Sequence, residues 1–345
     1  MTDSTNPETI VLHAGWRSDP APTAVAVPIY QTTSYQFDSP DHAAKLFALQ
    51  EFGNVYTRLM NPTTDVLEKR IAALEGGVAG LAMSSGQSAE FIAITNITHS
   101  GDNIVSSTDL YGGTWNMFAN TLKDLGIEVR FVDPADPEAF RKATDDKTRC
   151  YFAETLPNPK LEVFPIAEVA AIGREMGVPL IVDNTAAPIL CRPFDHGAAI
   201  VVHSTTKYLT GNGTVTGGCI VDSGKFDWSA SDKFPSLSAP EPAYHGLKFH
   251  ETFGPLAFTF HGIAVGLRDL GMTMNPQAAH YTLMGIETLS LRMDRHVANA
   301  KKIAGWLEGH DAVDAVTYAG LPSSPYFDRG ARICPKGAGG LFTVG

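Results

Sequence analysis

One lysine of the sequence has the surroundings that a nucleophilic amine needs. Lys207 follows the apolar run at residues 199–202 and precedes a glycine-rich segment at residues 211–218. A lysine ammonium held out of water is costly, so its pKa falls and the free amine, which forms Schiff bases with carbonyl groups, becomes available. A solvated lysine at a strand end is nevertheless the more common case for any single lysine. The surrounding residues therefore have to distinguish the two interpretations.

Polar residues beside and upstream of this lysine extend the pattern. Asp183 ends the apolar run at residues 179–182, where its carboxylate could face a cationic ring nitrogen, although a turn or helix-cap aspartate is the usual case. Ser204 and Thr206 flank Lys207, and their hydroxyl groups can donate to a phosphate.

Two further segments complete the set. Gly86 and Gln87 lie at a predicted helix start, where free N–H groups suit an anion. Tyr111 is followed by two glycines that let a flat ring approach its face, although a half-buried core tyrosine is the alternative. Together the residues suit a ligand with a carbonyl, a pyridine nitrogen, an aromatic face and a phosphate. Pyridoxal 5′-phosphate (PLP) has all four.

Short apolar runs separated by helical patterns must position these residues. The runs are consistent with buried strands, and they lie at residues 81–83, 103–105, 129–132, 150–153, 179–182 and 199–202. Helical patterns cover residues 140–143 and 166–176, and Asn61-Pro62 starts a helix that closes at Gly76-Gly77. This alternation predicts an α/β fold with a mainly parallel sheet covered by helices, whose ligand lies at the carboxyl ends of the strands.

The pattern divides the chain into three parts. Residues 1–55 carry Pro20, Pro22, Pro28 and Pro40 and predict an extended N-terminal arm rather than a core element. Residues 56–256 form the predicted PLP-binding domain. Residues 257–345 form a C-terminal α+β domain with a helix through residues 286–307. This domain ends in an apolar run at 339–345 that resembles a strand just beginning, so we expect it to be incomplete.

Composition excludes several classes of protein. The 345 residues are 44% hydrophobic and 18% charged, which excludes a disordered tail and a coiled coil. The net charge of −11 argues against nucleic-acid binding. No apolar stretch is long enough for a membrane helix, and the N-terminus lacks the pattern of a signal peptide, so we expect a cytoplasmic protein. We expect no metal site, because the four cysteines are dispersed and no HExxH motif occurs.

Six motifs resemble those of the Cys/Met-metabolism family of fold-type-I PLP enzymes, over essentially the whole chain. They are YTRLMNPT at residues 56–63, SSGQSA at 84–89, LYGGT at 110–114, ETLPNP at 154–159, VDNT at 182–185 and STTKY at 204–208. Within the family, the likeness is greatest to members that replace the acetyl group of O-acetylhomoserine with sulfide. Gly113 and the segments at residues 221–228, 244–246 and 285–293 carry that likeness.

The resemblance implies a role for each candidate residue around the cofactor ring. Lys207 would form the Schiff base with PLP and later move protons. Asp183 would keep the pyridine nitrogen protonated, Tyr111 would stack on the ring, and Asn158 would hydrogen-bond its 3′-oxygen.

The resemblance also implies how the phosphate is bound. Ser204, Thr206 and the backbone of Gly86 and Gln87 would hold it from one subunit. Tyr56 and Arg58 would reach it from the neighbouring subunit of a catalytic dimer that usually pairs into a tetramer. Tyr56 is counted with Lys207 and Tyr111 as catalytic.

The implied reaction is γ-replacement, which converts O-acetyl-L-homoserine and sulfide into L-homocysteine and acetate. Cystathionine γ-synthase, cystathionine γ-lyase and methionine γ-lyase activities are the alternatives, and Gly113 disfavours the last because members of that type carry cysteine there. The family's substrate-carboxylate arginine lies beyond the equivalent of Gly345, so weak turnover, or PLP binding without catalysis, is a further expectation. An α/β interaction domain without cofactor is the alternative from another class.

Overall fold

A seven-stranded sheet lies at the centre of the structure, a computed structural model that describes residues 4–16 and 23–345. Pro20 and Pro22 of the predicted arm lie outside the described residues. The strands are β1 (Ala79–Met83), β2 (Asn103–Ser107), β3 (Glu128–Val132), β4 (Thr148–Glu154), β5 (Leu180–Asp183), β6 (Ile200–Ser204) and β7 (Gly218–Asp222).

The strand order is β1-β7-β6-β5-β4-β2-β3, and β7 is antiparallel to both of its neighbours while the other pairs are parallel. The predicted mainly parallel sheet is therefore confirmed.

Helices surround this sheet. They are α1 (Pro7–His13), α2 (Pro40–Phe47), α3 (Pro62–Glu75), α4 (Gly86–Thr95), α5 (Gly112–Asn116), α6 (Leu122–Asp124), α7 (Pro137–Ala143), α8 (Ile166–Met176), α9 (Pro235–Ser238), α10 (Phe249–Phe253), α11 (Ala257–His261), α12 (Arg268–Leu270), α13 (Pro276–Glu287), α14 (Leu289–Leu307) and α15 (Phe327–Ile333). Within the described residues, no helix has the length and hydropathy needed to cross a membrane.

Two hydrophobic cores lie on the two faces of the sheet. Alternate residues of a strand point to opposite faces. In β5, Leu180 and Val182 belong to the core that also contains side chains of α3, α8 and α14, whereas Ile181 belongs to the core under α4 and α11. Burial on both faces explains why the strands are continuous apolar runs in the sequence.

The helix predicted at Asn61-Pro62 is confirmed at both ends. The Asn61 side chain accepts a hydrogen bond from the Thr63 N–H at 2.9 Å, and Pro62 occupies the first helical position. Gly76, with φ of 76°, ends the helix in the left-handed conformation that a glycine adopts without strain.

The extended-arm prediction for residues 1–55 is wrong for its first part. Asn6 caps α1, and Ile10, Val11 and Ala14 are buried in the core against α3. Ile10 and Val11 stand four and three residues before Ala14, so the three side chains form one apolar face that makes this short helix a core element.

The helix predicted through residues 286–307 is also divided. Thr288 separates α13 from α14, with its N–H bonded to the carbonyl of Gly285. Gly285 contacts the backbone of Thr210 so closely that a Cβ would lie 2.0 Å from the Thr210 oxygen. This close approach holds the end of α13 against the loop at Thr210, where the chain turns into α14. The predicted terminal strand is confirmed as β9 (Thr343–Val344), which pairs with β8 (Val316–Thr317).

Asp222 at the end of β7 makes stability depend on pH. Burial raises the pKa of its carboxyl from 3.8 to about 7, although Gly224 N–H and the Thr259 hydroxyl donate to it. Between these pH values the folded chain keeps a proton that the unfolded chain has released. The free energy of unfolding therefore falls as pH rises through the window, by about 4 kcal/mol at most.

We expect Asp222→Asn to remove this part of the pH dependence, because the amide can accept from Gly224 and donate to the Thr259 hydroxyl. Urea midpoints at pH 4.5 and pH 8 would measure it. An equal change in the urea midpoint between the two pH values in the parent and the variant would contradict the assignment.

Candidate active site

A cavity of about 560 Å³ lies at the carboxyl ends of the parallel strands. Eight of the ten residues predicted from the sequence to form the site line it. They are Gly86, Gln87, Tyr111, Asn158, Asp183, Ser204, Thr206 and Lys207. Residues from the ends of β4, β5 and β6 meet here because parallel strands end at one edge of the sheet.

The start of α4 forms one end of this cavity. Ser85 caps the helix through the Ser88 N–H at 3.0 Å, which leaves the N–H groups of Gly86 and Gln87 in the free first turn. A Cβ on Gly86 would lie 2.7 Å from the Ser204 Cβ, so only glycine lets helix and strand approach this closely. Free N–H groups at a helix start suit an anion, and we call this start of α4 the glycine cradle.

Lys207 lies on the cavity wall three residues after the end of β6. The expectation that Lys207 is held out of water is wrong, because the residue is exposed. Lys207 stands in a turn beyond the last paired residue of the strand, where the neighbouring strands no longer cover it. The Gly211 N–H bonds to its carbonyl at 2.8 Å and closes the turn.

Arg292 of α14 supports the turn from outside the cavity. Its guanidinium donates to the carbonyls of Tyr208 at 2.8 Å and Gly285 at 2.7 Å. Gly211 has a φ of 76°, in the left-handed region that favours glycine, and a Cβ there would also lie 2.3 Å from the guanidinium. The sequence reasoning assigned no role to Arg292, because no local pattern links residues 84 positions apart.

Asp183 forms the base of the cavity. Its Oδ1 accepts the Thr185 N–H at 2.8 Å, and the Thr185 hydroxyl in turn accepts the Ser204 N–H at 2.7 Å. Loss of contact with water raises the pKa of Asp183, while the bonds from Thr185 and the nearby His203 oppose that rise. His203 is itself buried against Glu75, with Nε2 and Oε1 2.6 Å apart.

Glu90 is a site residue that the sequence reasoning missed. It is buried, lines the cavity and accepts a hydrogen bond from the Thr114 hydroxyl at 3.0 Å. Its second oxygen has no hydrogen-bond partner among the described residues. Burial, and then the charge of Asp183, hold the pKa of Glu90 well above its usual range. Its position one turn after Gly86 in α4 is the only sequence feature that could have indicated it.

Glu154 was also missed, although it ends the β4 run as Asp183 ends the β5 run. Its carboxyl is buried and accepts the backbone N–H groups of Tyr111 and, at 3.3 Å, Asn158. Burial, followed by the charge of Asp183, raises the pKa of Glu154 to about 8. The side chains of Tyr111 and Asn158 line the cavity. Tyr111 is 49% exposed, and Asn158 is also exposed.

Tyr56 and Arg58 are not among the residues that line the cavity. The Arg58 guanidinium lies 5.4 Å from the centre of the Tyr56 ring and donates to the Arg268 carbonyl. The expectation for both residues concerns the phosphate of a neighbouring subunit, so it stays a prediction.

The residues present fit PLP. The glycine cradle at the start of α4 suits a phosphate, the carboxyl of Asp183 suits a protonated ring nitrogen, and the amine of Lys207 suits an aldehyde. No group of three potential metal ligands occurs among the described residues.

This fold and site define a PLP-dependent enzyme, and comparison with known proteins agrees. The family model described as Cys/Met metabolism PLP-dependent enzyme matches residues 8–344. The chain belongs to this family.

The names of individual relatives are more specific than the description of the family. The O-acetyl-L-homoserine sulfhydrylase of Leptospira meyeri is 53% identical over 98% of this chain and 78% of its own length. The O-acetyl-L-homoserine sulfhydrylase 1 of Thermus thermophilus is 50% identical over 98% of this chain and 81% of its own.

A crystal structure from Campylobacter jejuni, of a protein named as an O-acetylhomoserine (thiol)-lyase, has a TM-score of 0.96 and 38% identity. The match covers 98% of this chain and 84% of that one, which contains N′-pyridoxyl-lysine-5′-monophosphate.

Gly218→Ala tests the glycine cradle. The added Cβ would lie 2.0 Å from the Ser85 carbonyl oxygen and 2.9 Å from the Gly86 nitrogen, so the start of α4 must move. We expect the Kd of the cofactor-free protein for PLP, from fluorescence titration, to rise on the order of tenfold. The Kd for pyridoxal, which lacks the phosphate, should change little.

Gly305→Ala in α14 is the matched control, because its Cβ would meet Leu321 alone, at 3.8 Å, among the described residues outside its own helix. An unchanged Kd for PLP in Gly218→Ala, or an equal loss for pyridoxal, would show that the phosphate lies elsewhere.

Proposed function

We propose that this protein catalyses γ-replacement on O-acetyl-L-homoserine, with sulfide as the nucleophile and L-homocysteine and acetate as products. The observation that carries the proposal is that Lys207, Asp183 and the glycine cradle at Gly86 line the same cavity. The sulfhydrylase names of the relatives support the choice of substrate. The reaction belongs to the biosynthesis of sulfur amino acids.

Lys207 carries the proton transfers in this proposal. Bound PLP supplies an electron sink for charge that develops at the substrate Cα and Cβ. The amine of Lys207, on the cavity wall, takes the proton from Cα and moves a second from Cβ, so that acetate can leave from Cγ. The turn held by Gly211 and Arg292 keeps that amine at one place on the wall.

Asp183 and the surrounding walls fix the electrostatics. The Asp183 carboxyl keeps the ring nitrogen protonated, because a carboxylate removed from water binds a cation strongly. Tyr111 covers the ring face, and Asn158 donates to the ring 3′-oxygen. Gly86, Gln87, Ser204 and Thr206 hold the phosphate; the hydroxyl of Thr206 also accepts the Gly217 N–H at 3.0 Å. These groups orient the substrate and keep water from the reacting carbons.

The proposal includes a second subunit. Tyr56, 38% exposed, and Arg58 would reach the phosphate of a neighbouring copy within a dimer that pairs into a tetramer. Tyr56 would then act beside the catalytic Lys207 and Tyr111. We place the reaction in the cytoplasm.

A substrate panel tests the activity. Purified protein loaded with PLP should form homocysteine from O-acetylhomoserine only when sulfide is present. Cysteine in place of sulfide, and methionine or cystathionine as the only substrate, should give much lower rates. Faster formation of cystathionine, or ammonia release from methionine, would replace the proposal with a synthase or lyase activity.

Lys207→Ala tests the covalent anchor. Borohydride treatment of the parent protein with PLP, followed by peptide mass mapping, should place a pyridoxyl group on Lys207. The variant should lose the labelled peptide and the absorbance band of the bound cofactor, and turnover should fall by at least about a thousandfold. Lys301→Ala, at an exposed position of α14, is the control and should behave like the parent. A label on another lysine would overturn the assignment.

A further inference from the structure

We propose that Glu154 is a positioning residue that fixes Tyr111 and Asn158 against the cofactor ring by holding their backbone N–H groups. This inference rests on the proposed function, which places the Tyr111 ring and the Asn158 amide on PLP. It adds the residue that determines where those two side chains stand.

The two carboxyl oxygens of Glu154 are used by two different loops. Oε1 accepts the N–H of Tyr111, in the segment after β2, and Oε2 accepts the N–H of Asn158 at 3.3 Å, in the segment after β4. Glu154 is the last residue of β4, which lies between β2 and β5 in the sheet. A single side chain at the carboxyl end of β4 therefore holds both loops.

The location of Glu154 makes this role specific to the site. Glu154 is 7% exposed and lines the cavity. In the sheet it is paired with Asp183. A second contact joins the same two loops, where the ammonium of the exposed Lys160 lies 2.6 Å from the buried carboxyl of Asp109. That ion pair holds the loops together outside the cavity, whereas Glu154 determines how the loops face it.

A glutamine at this position separates the role in hydrogen bonding from a role in packing. Glutamine has nearly the same shape, but its oxygen replaces only one of the two carboxyl oxygens that accept these N–H groups. Its amide nitrogen, which is a donor, would face the other N–H group. Either Tyr111 or Asn158 must then shift. A side chain that only fills space would tolerate the change.

The test uses the PLP-loaded protein and its visible circular dichroism, which reports the tilt and asymmetric contacts of the bound ring. Glu154→Gln should reduce the visible band per bound cofactor and raise the Kd for PLP about tenfold. It should also raise KM for O-acetylhomoserine more than it lowers kcat. The unfolding midpoint of the cofactor-free form should stay close to that of the parent.

Glu162→Gln is the matched control. Glu162 accepts from the Tyr326 hydroxyl at 2.7 Å and does not line the cavity, so its variant should keep the parental band and Kd. A Glu154→Gln protein with the parental band and Kd would overturn the inference.

If Glu154→Gln does not fold, Glu154→Asp decides, because its carboxyl is one methylene too short to reach both N–H groups. The same loss of band is expected, and a parental band would overturn the inference. Failure of the proposed function is a separate outcome, seen in the parent protein as the absence of a pyridoxyl label on Lys207.

Discussion

The direction of the strands is the constraint on which the site depends. Parallel strands end at one edge, so the residues that follow them are brought together without any contact between them in the sequence. Asp183 at the end of β5, Lys207 after β6 and Glu154 at the end of β4 all reach the same cavity for this reason. The two cores on the faces of the sheet hold the strands in place, and the edge is left free for chemistry.

The charge distribution at that edge is the second determinant of the site. Asp183, Glu90 and Glu154 place three carboxyl groups around one cavity. Burial raises the pKa of all three, and the charge of Asp183 adds to the rise at Glu90 and Glu154, whereas Thr185 and His203 oppose the rise at Asp183. Such an arrangement costs free energy in the folded chain, and costs of this kind are typical of functional sites. Hydrogen bonds to Asp183 from Thr185, and to Glu154 from two backbone amides, offset part of the cost.

Much of this site could be predicted because its residues stand next to long apolar runs. The strand ends identified Asp183 and Lys207, and the capped helix start identified Gly86. The direction of β7 could not be predicted, since a strand buried on both faces has the same composition whichever way it runs. The exposure of Lys207, the orientation of Glu90 toward the cavity and the hydrogen bonds of Arg292 to the turn after Lys207 depend on packing between distant segments. No local pattern encodes these three features.

The reversed strand β7 has a consequence for the segment that carries the lysine. A parallel neighbour would require a long crossover connection, but β7 returns directly, and its first residue, Gly218, pairs with Ser204 at the end of β6. The loop between them is thus closed at both ends by the sheet. The backbone of residues 205–217 is thus fixed at both ends and has lost conformational entropy on folding, before any ligand binds. The backbone that carries Lys207 therefore loses little further entropy when a ligand binds. Extra residues inserted between Ser204 and Gly218 would restore backbone freedom and weaken binding.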